Sequence, residues 1–111
     1  MDKLYVVVRA DLPPGAQAVQ SCHAALQFAA EHPETARRWF ESSNYLALLS
    51  VPDEAALEQL VRRAERRGAR FAIFREPDLT NSITAVAFEP GDAGRRLCSS
   101  LPLTLAPVAQ R

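Results

Sequence analysis

The chain has 111 residues, which is enough for one domain with a real core: single domains run ~100–200 residues, and one this size hides roughly two-thirds of its unfolded surface. Its 48% hydrophobic and 23% charged residues are ordinary for a soluble globular protein, and 13 basic against 13 acidic side chains leave no net charge. The composition excludes a low-complexity chain and the ~20-residue apolar run that spans a bilayer, and with no charged-then-apolar leader before a cleavage site, secretion is not expected.

Leu4–Arg9 is a short β-branched apolar run and reads as a strand buried on both faces. Ala10–Gly15, with Pro13 and Pro14, is a rigid loop. From Ala16 to Glu31 alanine dominates, and Ala18, Cys22, Ala25 and Ala29 recur at helical spacing. That stripe of small residues predicts a helix packed closely on the sheet. Pro33 interrupts it, and Glu34–Ser42 forms a second helix with Trp39 as a core or rim aromatic. Tyr45–Val51 is the second strand. Asp53 caps the next helix, whose apolar face is Leu57, Leu60, Val61 and Ala64 and whose end is Gly68. Arg70–Arg75 and Ser82–Phe88 are the third and fourth strands, joined by the polar loop Glu76–Asn81. A short helix follows Pro90-Gly91-Asp92 to about Ser100. The tail Leu101–Arg111 adds a final extended piece.

The order β-α-α-β-α-β-β-α predicts helices on both faces of a mostly parallel sheet. The short link between the third and fourth strands makes one strand antiparallel. The expected fold is a single domain over residues 1–111, a three-layer α/β/α sandwich around a mixed four-stranded sheet.

Cys22 and Cys98 fit no metal spacing, and neither His23 nor His32 completes one. They read as reduced thiols of a cytoplasmic protein, with a disulfide between them left open. Charge divides along the chain: residues 1–58 hold four basic against eight acidic residues, and residues 59–111 hold nine arginines against five acids. Arg62, Arg63, Arg66, Arg67, Arg70 and Arg75 crowd together. They suit phosphate, or they complement the dipole of their own helix.

Ligands in open α/β sheets bind beyond the carboxyl ends of strands. The loops after the first and third strands therefore draw attention. If those strands are parallel, Asp11, Glu76 and Asp78 gather near the N-terminus of the first helix, whose free amides suit an oxyanion. Carboxylates beside such donors suit general-base hydrolysis; they also suit a solvated turn and a local cap. His23, with Gln20 and Gln27, forms a polar stripe, and a partly buried imidazole bonded to a carbonyl competes with a catalytic one. There is no phosphate-binding loop, dinucleotide fingerprint or nucleophile elbow.

The segment VVVRADL, then Gln20, then His23-Ala24-Ala25-Leu26, resembles the opening of the type 2 peptidyl-tRNA hydrolases, with their Arg-x-Asp-Leu strand end and Gln-Cys-Ala-His-Ala helix. The segment FREPDLTN and the strand ITAVAF resemble that family's Arg-Asp-Ala-Gly-x-Thr-Gln block and its following strand. The likeness runs from about Lys3 to Leu101 and is that of a divergent bacterial member. It implies hydrolysis of the ester joining a peptidyl or N-blocked aminoacyl group to tRNA, without metal or organic cofactor. Glu76 falls on the family's important aspartate, Thr80 on its threonine and Asn81 on its glutamine; Asp11, Gln20 and His23 match directly. By this resemblance Glu76 or Asp78 handles water, with Asp11 and His23 in the catalytic group. Thr80 and the helix amides meet the oxyanion. Arg9, Arg75, Arg62 and Arg66 hold phosphates, with Gln20 and Asn81 on substrate. The implied partner is tRNA, not a membrane, and a homodimer is left open. One departure stands out: the family's Gly-Lys turn is shorter here, and Ala16 stands where lysine is expected. The one lysine, Lys3, begins the first strand at its far end. A catalytically inactive RNA- or protein-binding module, and an enzyme for another ester or amide, remain rival readings.

Overall fold

The computed structural model describes residues 2–106. Its elements are β1 (Lys3–Arg9), α1 (Pro14–Glu31), α2 (Pro33–Ser42), β2 (Tyr45–Val51), α3 (Glu54–Arg66), β3 (Phe71–Glu76), a single 3-10 turn (Pro77–Leu79), β4 (Ser82–Phe88) and α4 (Asp92–Cys98). The strands stand in the order β2-β1-β4-β3. β1 and β2 are parallel, while β4 runs antiparallel to both β1 and β3. β1, β2 and β3 therefore all point the same way, and β4 is the antiparallel strand the short connection demanded. Among the described residues no helix is long and apolar enough to cross a membrane.

Alternation along the strands sorts the core into two layers. Val7, Leu49, Val51, Val86 and Phe88 meet Leu57, Leu60, Val61 and Ala64 of α3 and Leu97 of α4. Leu4, Val6, Val8, Ala72, Ala85 and Ala87 meet Ala24 and Phe28 of α1, with Trp39 of α2 at the rim. The expected α/β/α sandwich is thus present. α4 lies very close to the sheet, because a Cβ on Gly94 would collide with the Glu89 carbonyl oxygen and come within 3.0 Å of the Tyr5 ring. Gly68 ends α3 with φ +67°, as a C′ glycine does.

Two expectations are corrected. The inner stripe of α1 is Gln17, Gln20, Ser21, Ala24 and Phe28, not Ala18, Cys22, Ala25 and Ala29. Ala18, Cys22 and Ala29 are exposed. The two stripes have the same helical period, and the winner carries the one large aromatic of the helix, so burial of Phe28 decides the rotation. The polar stripe of Gln20, His23 and Gln27 splits for the same reason, with Gln20 buried and His23 exposed. The cysteines, by contrast, are both free as expected, Cys22 exposed on α1 and Cys98 buried on α4 across the sheet. Burial pushes the Cys98 thiol up to about 12, which leaves it unreactive.

The tail does return to the sheet. Leu103 bridges Leu49 antiparallel, and the Ser50 and Thr104 amides donate to the carbonyls of Pro102 and Leu48 at 3.0 and 2.9 Å. This covers part of the β2 edge. The rest of the tail, Pro107 included, lies outside the described residues.

Candidate active site at the carboxyl end of the sheet

Because β1, β2 and β3 are parallel, the loops that follow them open at one end of the sheet, together with the first turns of α1 and α3 and the start of β4. The strand pairing breaks there. Phe74 opposes Ala85 and Arg75 opposes Ile83, so Thr84 is an extra residue in β4. Such a bulge turns two neighbouring side chains to one face. Thr84 consequently joins Ala85 on the α1 side, fully buried.

Its hydroxyl donates to Gln20 Oε1 at 2.5 Å. That commits the amide orientation of Gln20, whose Nε2 donates to Glu76 Oε1 at 2.7 Å. The other Glu76 oxygen accepts the Asp78 amide at 3.3 Å. These bonds, Gln20 first and the Asp78 amide second, hold the Glu76 carboxyl below its ordinary value of 4.5, and the charge of His23 adds to the effect. The imidazole of His23 lies flat on the Phe74 ring, with centroids 4.4 Å apart and planes 8° from parallel. The competing expectation, a partly buried imidazole bonded to a carbonyl, is met instead by His32, at 3.0 Å from the Phe71 carbonyl.

The loop after Glu76 is wound tightly. The Asn81 amide donates to the Glu76 carbonyl at 3.0 Å, and Thr80 and Asn81 both take positive φ, +54° and +59°. Two successive left-handed non-glycine residues are strained, and such strain gathers at functional loops. The Thr80 hydroxyl donates to the Leu79 carbonyl at 2.7 Å, so its proton must rotate away before it can serve an oxyanion. Asp78 contributes its backbone amide to the site.

The carboxylates do not converge as expected. Among the described residues no three His, Cys, Asp or Glu side chains come close enough to share a metal ion. Asp11 is held by Arg9 through two bonds, Nε to Oδ1 at 2.9 Å and Nη2 to Oδ2 at 3.0 Å. The third guanidinium nitrogen donates to Ser82 Oγ and the Ile83 carbonyl at 3.4 and 3.3 Å. Arg9 alternates with Val8 and so faces the α3 side, whereas Glu76 faces α1. The sheet end thus separates the two carboxylates. With its side chain only 15% exposed and every nitrogen engaged, Arg9 is a clip between β1 and β4. Beside it Glu54, in the first turn of α3, accepts the Ile83 amide at 2.8 Å.

Arg75 remains exposed at the site end, with one 3.4 Å bond to the Asn81 carbonyl. Arg62 and Arg66 are exposed on α3, which runs away from the site for about 20 Å over its 13 residues. They lie on the opposite face of the sheet from Glu76. α3 itself has an acidic start and a basic end, as its dipole favours.

Four residues of this region were missed in the sequence. Thr84 had a signal, a hydroxyl inside the otherwise apolar run ITAVAF. Phe74, Glu54 and Gln17 had none; Gln17 is buried and its Nε2 donates to the Ala10 and Leu12 carbonyls at 3.3 and 2.7 Å.

Ala16 stands one helical turn before Gln20 on the same side of α1, and Gln20 is the residue that holds Glu76. A lysine there would put its ammonium beside the carboxylate. No side chain caps the N-terminus of α1, whose N-cap is Pro13, so the Gly15 and Ala16 amides have no helical partner.

Comparison with known proteins bears on the fold and the family. The solved structure of a protein of unknown function from Agrobacterium tumefaciens str. C58 superposes with a TM-score of 0.67 over 92% of this chain and 96% of that one. At 14% identity this is a likeness of fold. A peptidyl-tRNA hydrolase of Thermococcus onnurineus (strain NA1) is 33% identical over 98 residues, covering 79% of this chain and 83% of that protein. The model of the family described as peptidyl-tRNA hydrolase PTH2 matches residues 2–96, and the chain belongs to that family.

Proposed function

We propose that the protein hydrolyses the ester between a peptidyl or N-blocked aminoacyl group and the terminal ribose of tRNA, as a divergent family member acting in the cytoplasm through one domain spanning residues 1–111. The observation that carries this reading is the relay Thr84–Gln20–Glu76, which holds an ionised carboxylate at the end of the sheet where α1 begins. The carboxylate is a weak base, because its neighbours favour the charged form. It acts best by accepting a hydrogen bond from the attacking water and steadying the charge that develops there. Water oxygen bonds to the ester carbon, and the carbonyl oxygen becomes an oxyanion facing the Gly15 and Ala16 amides and, after rotation, Thr80. The bond to the ribose oxygen then breaks, and that oxygen takes the proton that the attacking water gives up. His23, within electrostatic reach of Glu76, would pass it. Arg75, the exposed cation at this end of the sheet, would take the terminal phosphates.

Cleavage of N-acetyl-aminoacyl-tRNA by the purified protein tests the reading. Glu76→Gln should lower turnover by roughly 10²–10⁴. Asp78→Asn should do much less, since Asp78 serves the site through its amide. A binding module on the same fold is favoured by one observation, the absence of a cation at Ala16. If that residue only weakens the chemistry, Ala16→Lys raises the rate and Glu76→Gln removes the gain. Cleavage at the uncatalysed rate by all of these proteins, with tRNA still bound, would leave the module reading standing.

A further inference from the structure

The two edges of the sheet differ. Along β2 the tail is laid alongside, through the Leu49–Leu103 bridge and the bonds at Ser50 and Leu48. Along β3, among the described residues, no further strand is paired. Antiparallel pairing turns the backbone groups of alternate β3 residues toward β4 and those of the others away from it. Arg70 and Glu76 mark the inward set, since their carbonyls accept the Glu89 and Asn81 amides, both at 3.0 Å. The extra residue at the bulge lies in β4, so β3 keeps its alternation throughout. Phe71, Ile73 and Arg75 therefore direct their N–H and C=O groups outward. The Phe71 carbonyl meets the His32 ring nitrogen at 3.0 Å. Among the described residues, the N–H and C=O groups of Ile73 and Arg75, two donors and two acceptors, have no backbone partner. Natural edge strands are commonly guarded by lysine or proline. Phe71–Phe74 carries neither, and its large side chains Phe71, Ile73 and Phe74 are only half-buried.

This open edge leads directly from the candidate site, because Glu76 is the last residue of β3. A substrate whose ester carbon lies at Glu76 carries its peptide on one side of that carbon and the ribose on the other. With Arg75 taking the terminal phosphates, the tRNA lies beyond the strand end, and the peptide has the edge of β3 to follow. It starts at its C-terminal residue beside Glu76 and runs back toward Phe71, so it lies parallel to β3. At ~3.3 Å per residue, the steps from Glu76 back to Phe71 span roughly 17 Å, and the His32 bond closes the far end. We propose that the peptidyl group binds as an added parallel strand along β3, its main-chain amide and carbonyl groups paired with those of Ile73 and Arg75. This rests on the hydrolase reading and adds how the peptide is held. Its backbone supplies the bonds and its side chains cover the flanks of Phe71, Ile73 and Phe74, so side-chain identity matters little.

An added strand turns only every second amide toward its neighbour, so the pairing has a period of two along the peptide. A series of N-blocked tetrapeptidyl-tRNAs, each N-methylated at one successive amide, reads it. kcat/KM should fall by about tenfold at alternate positions and by much less at those between. The unmethylated tetrapeptidyl-tRNA should be cleaved faster than N-acetyl-aminoacyl-tRNA by about tenfold or more. Ile73→Pro deletes one outward donor and no bond to β4, and it should bring that ratio near one, whereas Ile73→Ala should keep most of it. Thermal midpoints check the fold of both variants, and the methylation series needs neither. Amide hydrogen exchange gives a readout without turnover. Ile73 and Arg75 should exchange faster than Ala72 and Phe74 in the free protein, and N-acetyl-Thr-Val-Thr-Val-amide should slow them. Equal rates on short and long substrates, or equal losses at every methylated position, would overturn the proposal and leave the hydrolase reading intact. No cleavage of any substrate, with exchange at Ile73 and Arg75 still slowed by the peptide, would sink the hydrolase reading and keep the edge site. Slow exchange of these two amides in the free protein that quickens on dilution would give the edge to a second copy of this chain and overturn the proposal.

Discussion

At the scale of single residues, the site depends on where protons are held. The Glu76 carboxyl is depressed below 4.5 chiefly because Gln20 donates to its charged form. A depressed folded-state value means the carboxylate contributes stability above pH 4.5, and this is lost as pH falls through the lower, folded value. If turnover needs that carboxylate, the acid limb of the pH–rate profile should lie below 4.5. Gln20→Leu removes the donor, and the limb should move up toward 4.5. Thr84→Val leaves Gln20 in place but frees its amide to turn, so the limb should move the same way by less. A limb that ignores both substitutions would mean that another group governs the reaction. The left-handed pair Thr80 and Asn81 belongs to the same scale: its strain and the misdirected Thr80 proton leave the loop set for a change on binding substrate. None of this proton placement was legible in the sequence. It depends on a one-residue bulge that moves Thr84 from one face of β4 to the other, and bulges leave no periodic trace.

At the scale of elements, α1 is the informative helix. Eighteen residues carry one charge, Glu31, and two stripes of equal helical period. Periodicity alone cannot choose between them. The chosen stripe includes Gln17 and Gln20, polar residues that would be costly to bury were their amides not paired to the Ala10, Leu12 and Glu76 oxygens. Ala24→Phe should overpack α1 against β1, β3 and β4 and cost about 1–3 kcal/mol, whereas Ala18→Phe on the outer stripe should stay within about 0.5 kcal/mol. Denaturant midpoints of the two variants check this, and equal destabilisation would mean that α1 is rotated from the position described. The elements themselves were legible because their signals are local: β2 and β4 have the expected bounds, and Asp53 caps α3 by accepting the Ala56 amide at 3.0 Å. The converging carboxylates were not, because strand alternation puts Arg9 and Glu76 on opposite sides of one sheet, and Asp11 follows Arg9.

At the scale of the whole molecule, the arginines of the second half divide by place. Arg75 is at the site end, while Arg62, Arg63, Arg66 and Arg67 lie along and beyond α3, on the other face of the sheet and toward its far end. One substrate can touch both only if it is long, and a tRNA is. The two groups should then act on different quantities. Replacing the four α3 arginines with glutamine should leave kcat unchanged, weaken tRNA binding and flatten its salt dependence by roughly 0.7–0.9 log units per decade of salt for each phosphate no longer neutralised. Arg75→Gln should instead lower kcat/KM on minimal substrates that carry only the terminal nucleotide, where α3 has nothing to touch. Binding isotherms at several salt concentrations, run beside turnover on full and minimal substrates, separate the two. An unchanged salt slope in the quadruple variant would assign those arginines to the helix dipole and solvent alone. tRNA affinity would then have to come from the site end, where Arg75 is the exposed cation proposed for the terminal phosphates.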